Sequence, residues 1–137
     1  MKSKKKTPRG IRNNNPLNIR IGNSWMGEVQ HPTDTVFEQF TEMRFGVRAG
    51  FMLLKRYIKR YQLNTIEKII ERWAPNNENY TESYIRLVCN RTGIDRNFVI
   101  EYSNVAVMTM IFQAMCFVEN GQEIDYDVIL EGYSIAR

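Results

Sequence analysis

The chain has 137 residues, 43% hydrophobic, 12% aromatic and 25% charged, enough for one domain with a sizeable core and too short for two. No apolar run is long enough to cross a bilayer, and the basic N-terminus lacks the apolar stretch of a secretory signal peptide. The formal net charge of +4 is uneven: residues 1–27 hold seven basic side chains and no acid, whereas the rest sets twelve Lys/Arg against fifteen Asp/Glu.

Residues 1–9, MKSKKKTPR, have no apolar anchor and read as a flexible basic tail, leaving 10–137 as a single domain. From Gly10 to about Phe40 the chain is rich in Asn, Gly, Pro and Thr. It reads as a loop with a small, irregular β element at Leu17–Ile21 and Thr35–Phe40. From Gly46 the period turns helical: Val47, Phe51, Leu54, Ile58 and Tyr61 form one apolar stripe. Around it lies a second basic island, Arg44, Arg48, Lys55, Arg56, Lys59 and Arg60, with no acid between Glu42 and Glu67. Such islands attract polyanions, nucleic acid or an anionic cell wall, or are merely a tail and a solvated helix face.

Asn64-Thr65 supplies a cap for a second helix, Ile66 to Trp73, stopped by Pro75. Thr81 is expected to cap a third, with Glu78 before it in a loop and Gly93 just past its end. A short fourth helix is expected from Asp95 to Tyr102. Asn104 caps a fifth, Val105 to Glu119, closed by Asn120-Gly121, and Asp125 caps a last one, Tyr126 to Ala136. The fold class is therefore mainly α, with five to six helices and a small β element near the N-terminus. Cys89 and Cys116 sit among apolar neighbours and read as reduced packing residues. With His31 as the single histidine, neither a structural zinc site nor any other metal or organic cofactor is expected.

The sharpest chemical signal is in the fifth helix. Its stripe runs Val105, Met108, Phe112, Met115 and then Glu119, so a carboxylate takes the next buried-face position in the last turn. Desolvation and the negative end of the helix dipole both disfavour its charged form and raise its pKa. A Glu kept protonated near neutrality can donate to a leaving oxygen, as glycosidic cleavage requires. The plainer alternative is a frayed end with Glu119 in water. A second constellation is the amide run around Asn13, Asn14, Asn15 and Asn18, followed by Trp25. It offers partners and an aromatic platform for N-acetylated sugars, or an Asx-rich turn that satisfies its own backbone. In the third, Trp73 to Tyr84, Glu78 either lines a cleft beside Tyr80 and Tyr84 or favours the positive end of a helix.

Together these segments resemble a phage-encoded family of small lysozyme-like proteins. Its members share RGIRNNNPxNIR, W-x-G, F-x-x-F, G-(I/V)-R-A, T-I-x-x-I-I-x-R-W-A-P-x-x-E-N-x-T-x-x-Y and a terminal H-E-N-G-x-x-x-Y. The chain matches at Arg9–Arg20, at Trp25 and Gly27, at Phe37 and Phe40, at Gly46–Ala49, at Thr65–Tyr84, and at Glu119–Gly121 with Tyr126. It departs from the pattern at Val118, where the family has His. The segments also resemble those of bacterial glucosaminidases and lytic transglycosylases in rearranged order, as in a circular permutation. The resemblance implies a lysozyme-like α+β domain that cleaves the β-1,4 linkage between N-acetylated sugars of peptidoglycan. It places Glu119 as the catalytic acid, Asn13, Asn14, Asn18 and Trp25 on the sugars, and Glu78, Thr81 and Tyr84 along the cleft. Glu28 and Asp34 are the candidates for a second carboxylate. The implied partners are glycan strands, anionic wall polymers or virion proteins rather than nucleic acid. The protein would be made without a signal peptide and reach the wall after release or inside a virion. A non-catalytic wall-binding module with the same fold is the rival expectation.

Overall fold

The computed structural model describes residues 6–137, so most of the expected basic tail lies outside the described residues. Six helices follow in order: α1 (Arg9–Arg12), α2 (Met43–Lys59), α3 (Ile66–Trp73), α4 (Glu78–Thr92), α5 (Val105–Asn120) and α6 (Tyr126–Ile135). Among the described residues the β element is reduced to two isolated antiparallel bridges, Arg20 with Phe37 and Glu28 with Phe40. No described helix is long and apolar enough to cross a membrane.

The main core is formed by the apolar stripes of α2 to α6 meeting in one cluster. Phe51 of α2 stacks on Phe112 of α5 at 4.5 Å between ring centroids and meets Tyr133 of α6 edge-on at 5.1 Å. Ile66, Ile69 and Ile70 of α3, Ile85 and Val88 of α4, and Met108, Ile111 and Met115 of α5 are buried in the same cluster. Close contact of α2 with α6 depends on Gly132, where a Cβ would run into the Val47 side chain. A smaller cluster of Ile19, Phe40 and Ala49, covered by Trp25, Phe45, Leu53 and Trp73, lies under the irregular segment between α1 and α2.

Several boundaries differ from the sequence reading. Arg9, the last residue of the expected tail, instead opens α1, and its guanidinium grips both oxygens of Asp34 at 2.7 Å. α4 begins a turn earlier than expected because Asn77 is its cap, accepting from the Tyr80 N–H at 2.7 Å. Glu78 therefore stands in the first turn of a helix, where its charge suits the positive end. Thr81 is not a cap; its hydroxyl donates to the Ala74 carbonyl and ties α4 to the end of α3. The helix expected from Asp95 to Tyr102 does not form. Its backbone is engaged elsewhere: Asp95 accepts from the Asn97 N–H, Arg96 O from the Glu67 N–H, and Asn64 O from the Ile100 N–H. Side-chain and tertiary partners thus outcompete the local helical bonds.

Candidate functional site

The end of α5 meets the opening segment of the chain. Gly121 takes a left-handed conformation (φ +70°) just beyond α5, the usual way to close a helix without a Cβ clash. Asn120 donates from its amide to Pro16 O at 2.7 Å and to Cys116 O at 3.0 Å, fixing this end against the Asn-rich segment. Gly10 makes the approach possible. A Cβ there would lie 2.8 Å from both Asn15 O and Asn18 Oδ1 and would collide with Asn120 Oδ1.

Here Glu119 is half-buried. Its Oε1 accepts from the Asn18 amide at 2.9 Å and its Oε2 from the Tyr84 hydroxyl at 2.9 Å. Burial raises the carboxyl's pKa above the usual value, and Asn18, Tyr84 and Trp73 oppose that rise without cancelling it. Tyr84 is fully buried, and burial together with the facing carboxyl holds its phenol protonated. Tyr80 lies edge-on to Tyr84 at 6.1 Å and remains 44% exposed. It supplies an open aromatic face near the carboxyl, whose charge also perturbs the Tyr80 phenol.

The other residues singled out by the sequence separate into distinct groups. Asn18 reaches Glu119 and adopts φ +53° to do so, as does Asn14. Asn13 and Asn14 have their amides turned inward. Asn13 donates to Asp34 and accepts from Gln39, and Asn14 donates to Phe40 O at 3.0 Å. These partners are distant in the chain, so the Asx-turn alternative applies instead to Asn15, which pairs with the Ile19 N–H and carbonyl. Tyr84 positions Glu119 from within the core rather than bordering an open cleft. Trp25 is half-buried against the smaller cluster, which Trp73 also covers. Asp34 is not a free base, because Arg9, the N–H groups of Phe37 and Val36, and Asn13 hold its carboxyl well below the ordinary range.

Glu28 is turned toward the irregular segment, accepting from the Trp25 N–H at 3.0 Å. Its carboxyl faces that of Glu38, which is only 6% exposed and whose Oε2 has no partner. Burial and then the Glu28 charge push Glu38 up to about 7. Glu78 and Thr81 line a groove of about 610 Å³ between α3 and α4, with Glu67, Glu71, Glu82 and Arg96. On α4 this face lies about half a turn from Tyr80 and Tyr84, so Glu78 belongs to the groove and not to the surroundings of Glu119. Arg96 crosses the groove to Glu82 at 2.6 Å and Glu67 at 2.8 Å.

Among the described residues no three His, Cys, Asp or Glu side chains are grouped to hold a metal. Val118 packs partly against the main core. Sequence reasoning missed two residues here. Trp73 opens the third constellation but is given no role there, and Glu38 was legible only as a polar residue in a β-prone piece.

No protein-family model matches the chain. Protein P5 of Pseudoalteromonas phage PM2 is 44% identical over 130 residues, which cover 91% of this chain and 79% of that protein. The chain therefore belongs to the family of the PM2 phage protein P5.

Proposed function

We propose that this phage-type protein cleaves the β-1,4 glycosidic bonds of peptidoglycan by lytic transglycosylation on a lysozyme-like, circularly permuted domain. The observation that carries the reading is the Glu119 carboxyl, held by Asn18 and Tyr84 and raised in pKa by burial. Each carboxyl oxygen has two lone-pair sites. One donor on each oxygen fixes the group while leaving a site for the proton that it delivers. Glu119 protonates the glycosidic oxygen, the C1–O bond breaks with assistance from the substrate's acetamido group, and a hydroxyl group of the same sugar then closes on C1. The hydroxyl proton released in that closure returns to Glu119.

A one-carboxyl mechanism is favoured because no second carboxylate contributes to the environment of Glu119. Asp34 is locked to Arg9, and Glu28 faces Glu38. Tyr80 and Trp25 would present aromatic faces to the N-acetylated sugars. The protein would act at the wall after release or from within a virion.

Incubating the wild type and Glu119→Gln with purified peptidoglycan, then weighing the released muropeptides, tests this reading. Anhydro-ended products from the wild type alone are expected. Reducing ends would reassign it as a hydrolase. Release by neither protein, with binding retained, would leave a wall-binding module, a reading that Val118 in place of the family's His favours.

A further inference from the structure

A continuous track of aromatic and basic side chains runs outward from Glu119. Trp73 lies near enough to Glu119 to oppose the rise in its pKa, and the Tyr57 ring lies edge-on to Trp73 at 6.0 Å. Arg72 lies over both Tyr57 at 5.8 Å and Tyr61 at 5.5 Å, and Arg60 lies over Tyr61 at 5.8 Å. Tyr61 is 47% exposed, and Arg56, Lys59, Arg60 and Arg72 are all exposed. Among the described residues none of these four cations makes a salt bridge, whereas Arg9, Arg44, Arg86, Arg91 and Arg96 all do. Of the two acids on α3, Glu67 is taken by Arg96, and Glu71 lines the groove toward α4 without a salt bridge to any of these four.

Ordinary surface cations find acidic neighbours or scatter in solvent. Arg60 and Arg72 are instead preorganised on aromatic rings, with Arg56 and Lys59 beside them, which lowers the entropic cost of meeting an anion. A guanidinium over a ring still presents its N–H edge to a carboxylate.

We propose that Arg60 and Arg72, set on Tyr57 and Tyr61, form a subsite for the carboxylate-bearing peptide branches of the same polymer whose sugar chain meets Glu119. This deepens the peptidoglycan reading and rests on it. Two features favour a branch over a nucleic acid. The track holds four cations, fewer than the six to ten phosphate contacts of a typical duplex binder. It also leads directly into Trp73 and the carboxyl, where a nucleic acid would bring phosphates against an acid.

The test is equilibrium binding of the full chain to three probes at one moderate salt concentration. The probes are glycan strands carrying peptide stems, the same strands stripped of stems by an amidase, and a 20-mer of single-stranded DNA. Wild type should bind the stem-bearing strands about fivefold or more tightly than the stripped ones, the sum of two exposed ion pairs. Arg60→Gln/Arg72→Gln should abolish that ratio and leave the stripped-strand affinity unchanged. Arg60→Gln alone, at an exposed site past the end of α2, should halve the preference and guards against loss of folding in the double variant. Glu119→Gln should keep the full ratio, which separates this proposal from the catalytic one. A ratio near one in the wild type, equal loss on both glycans in the variants, or tighter variant-sensitive binding of the DNA would each overturn it. Stem-dependent binding without muropeptide release would defeat the glycosidase reading and leave this one standing.

Discussion

Glu38 gives the most quantitative prediction. In the unfolded chain its carboxyl ionises near 4.5, whereas in the fold burial and Glu28 move it to about 7. Below 4.5 the group is protonated in both states and is neutral to stability. Between 4.5 and 7 the unfolded state releases the proton and the native state keeps it, so stability falls as pH rises. Above 7 the native state carries a buried charge, and the loss levels off. At about 1.36 kcal/mol for each pH unit between the two titrations the full loss is roughly 3 kcal/mol. For a chain of this length that corresponds to about 10 °C in Tm. Glu38→Gln keeps the shape and removes the proton from the balance. Urea unfolding of both proteins at several pH values between 4 and 9 reads the difference directly. The curves should coincide at the acid end, with the variant more stable by up to about 3 kcal/mol at the alkaline end. Parallel curves across the range would refute the argument, because then Glu38 titrates alike in both states.

Three further expectations follow from the same geometry. Tyr84→Phe keeps the packing and deletes a donor that favours the Glu119 carboxylate, so the alkaline limb of the muropeptide-release profile should move to higher pH; an unmoved limb would separate Tyr84 from Glu119. Gly10→Ala forces a Cβ into Asn15 O, Asn18 Oδ1 and Asn120 Oδ1. It should cost about 1–3 kcal/mol in chemical denaturation and reduce release as Asn18 leaves Glu119. Asp34→Asn removes a carboxylate whose pKa Arg9 depresses, a contribution to stability that is present above the unfolded value and lost as pH falls. The variant should melt earlier at neutral pH, and the gap should close in acid.

The helical part of the fold was readable because a helix records its buried face in the spacing of its own residues. Val47, Phe51, Leu54 and Ile58 of the four-and-three stripe are buried as its spacing requires, whereas Tyr61 lies past the end of α2 and is 47% exposed; Ile66–Trp73, capped by Thr65, stands where its pattern places it. The same logic put Glu119 one turn beyond Met115, on the sheltered side of α5. Where local and distant partners compete, spacing alone is silent. The segment from Asp95 to Tyr102 has helical composition, yet its backbone bonds go to the start of α3. Thr81 reads as a cap along the chain, but its hydroxyl is drawn to Ala74 O and Asn77 caps α4 instead.

The sequence by itself determined that this is a mainly helical domain with a carboxylate on a buried stripe, since periodicity and hydrophobicity are properties of neighbours along the chain. The tertiary structure alone decided which of the many asparagines and acids matter. Asn18 meets Glu119 across 101 residues of chain, and Asp34 is silenced by an arginine 25 residues away. Glu38 acquires its unusual proton affinity from burial against Glu28. Desolvation and charge proximity depend on distances through space, which residue order does not encode.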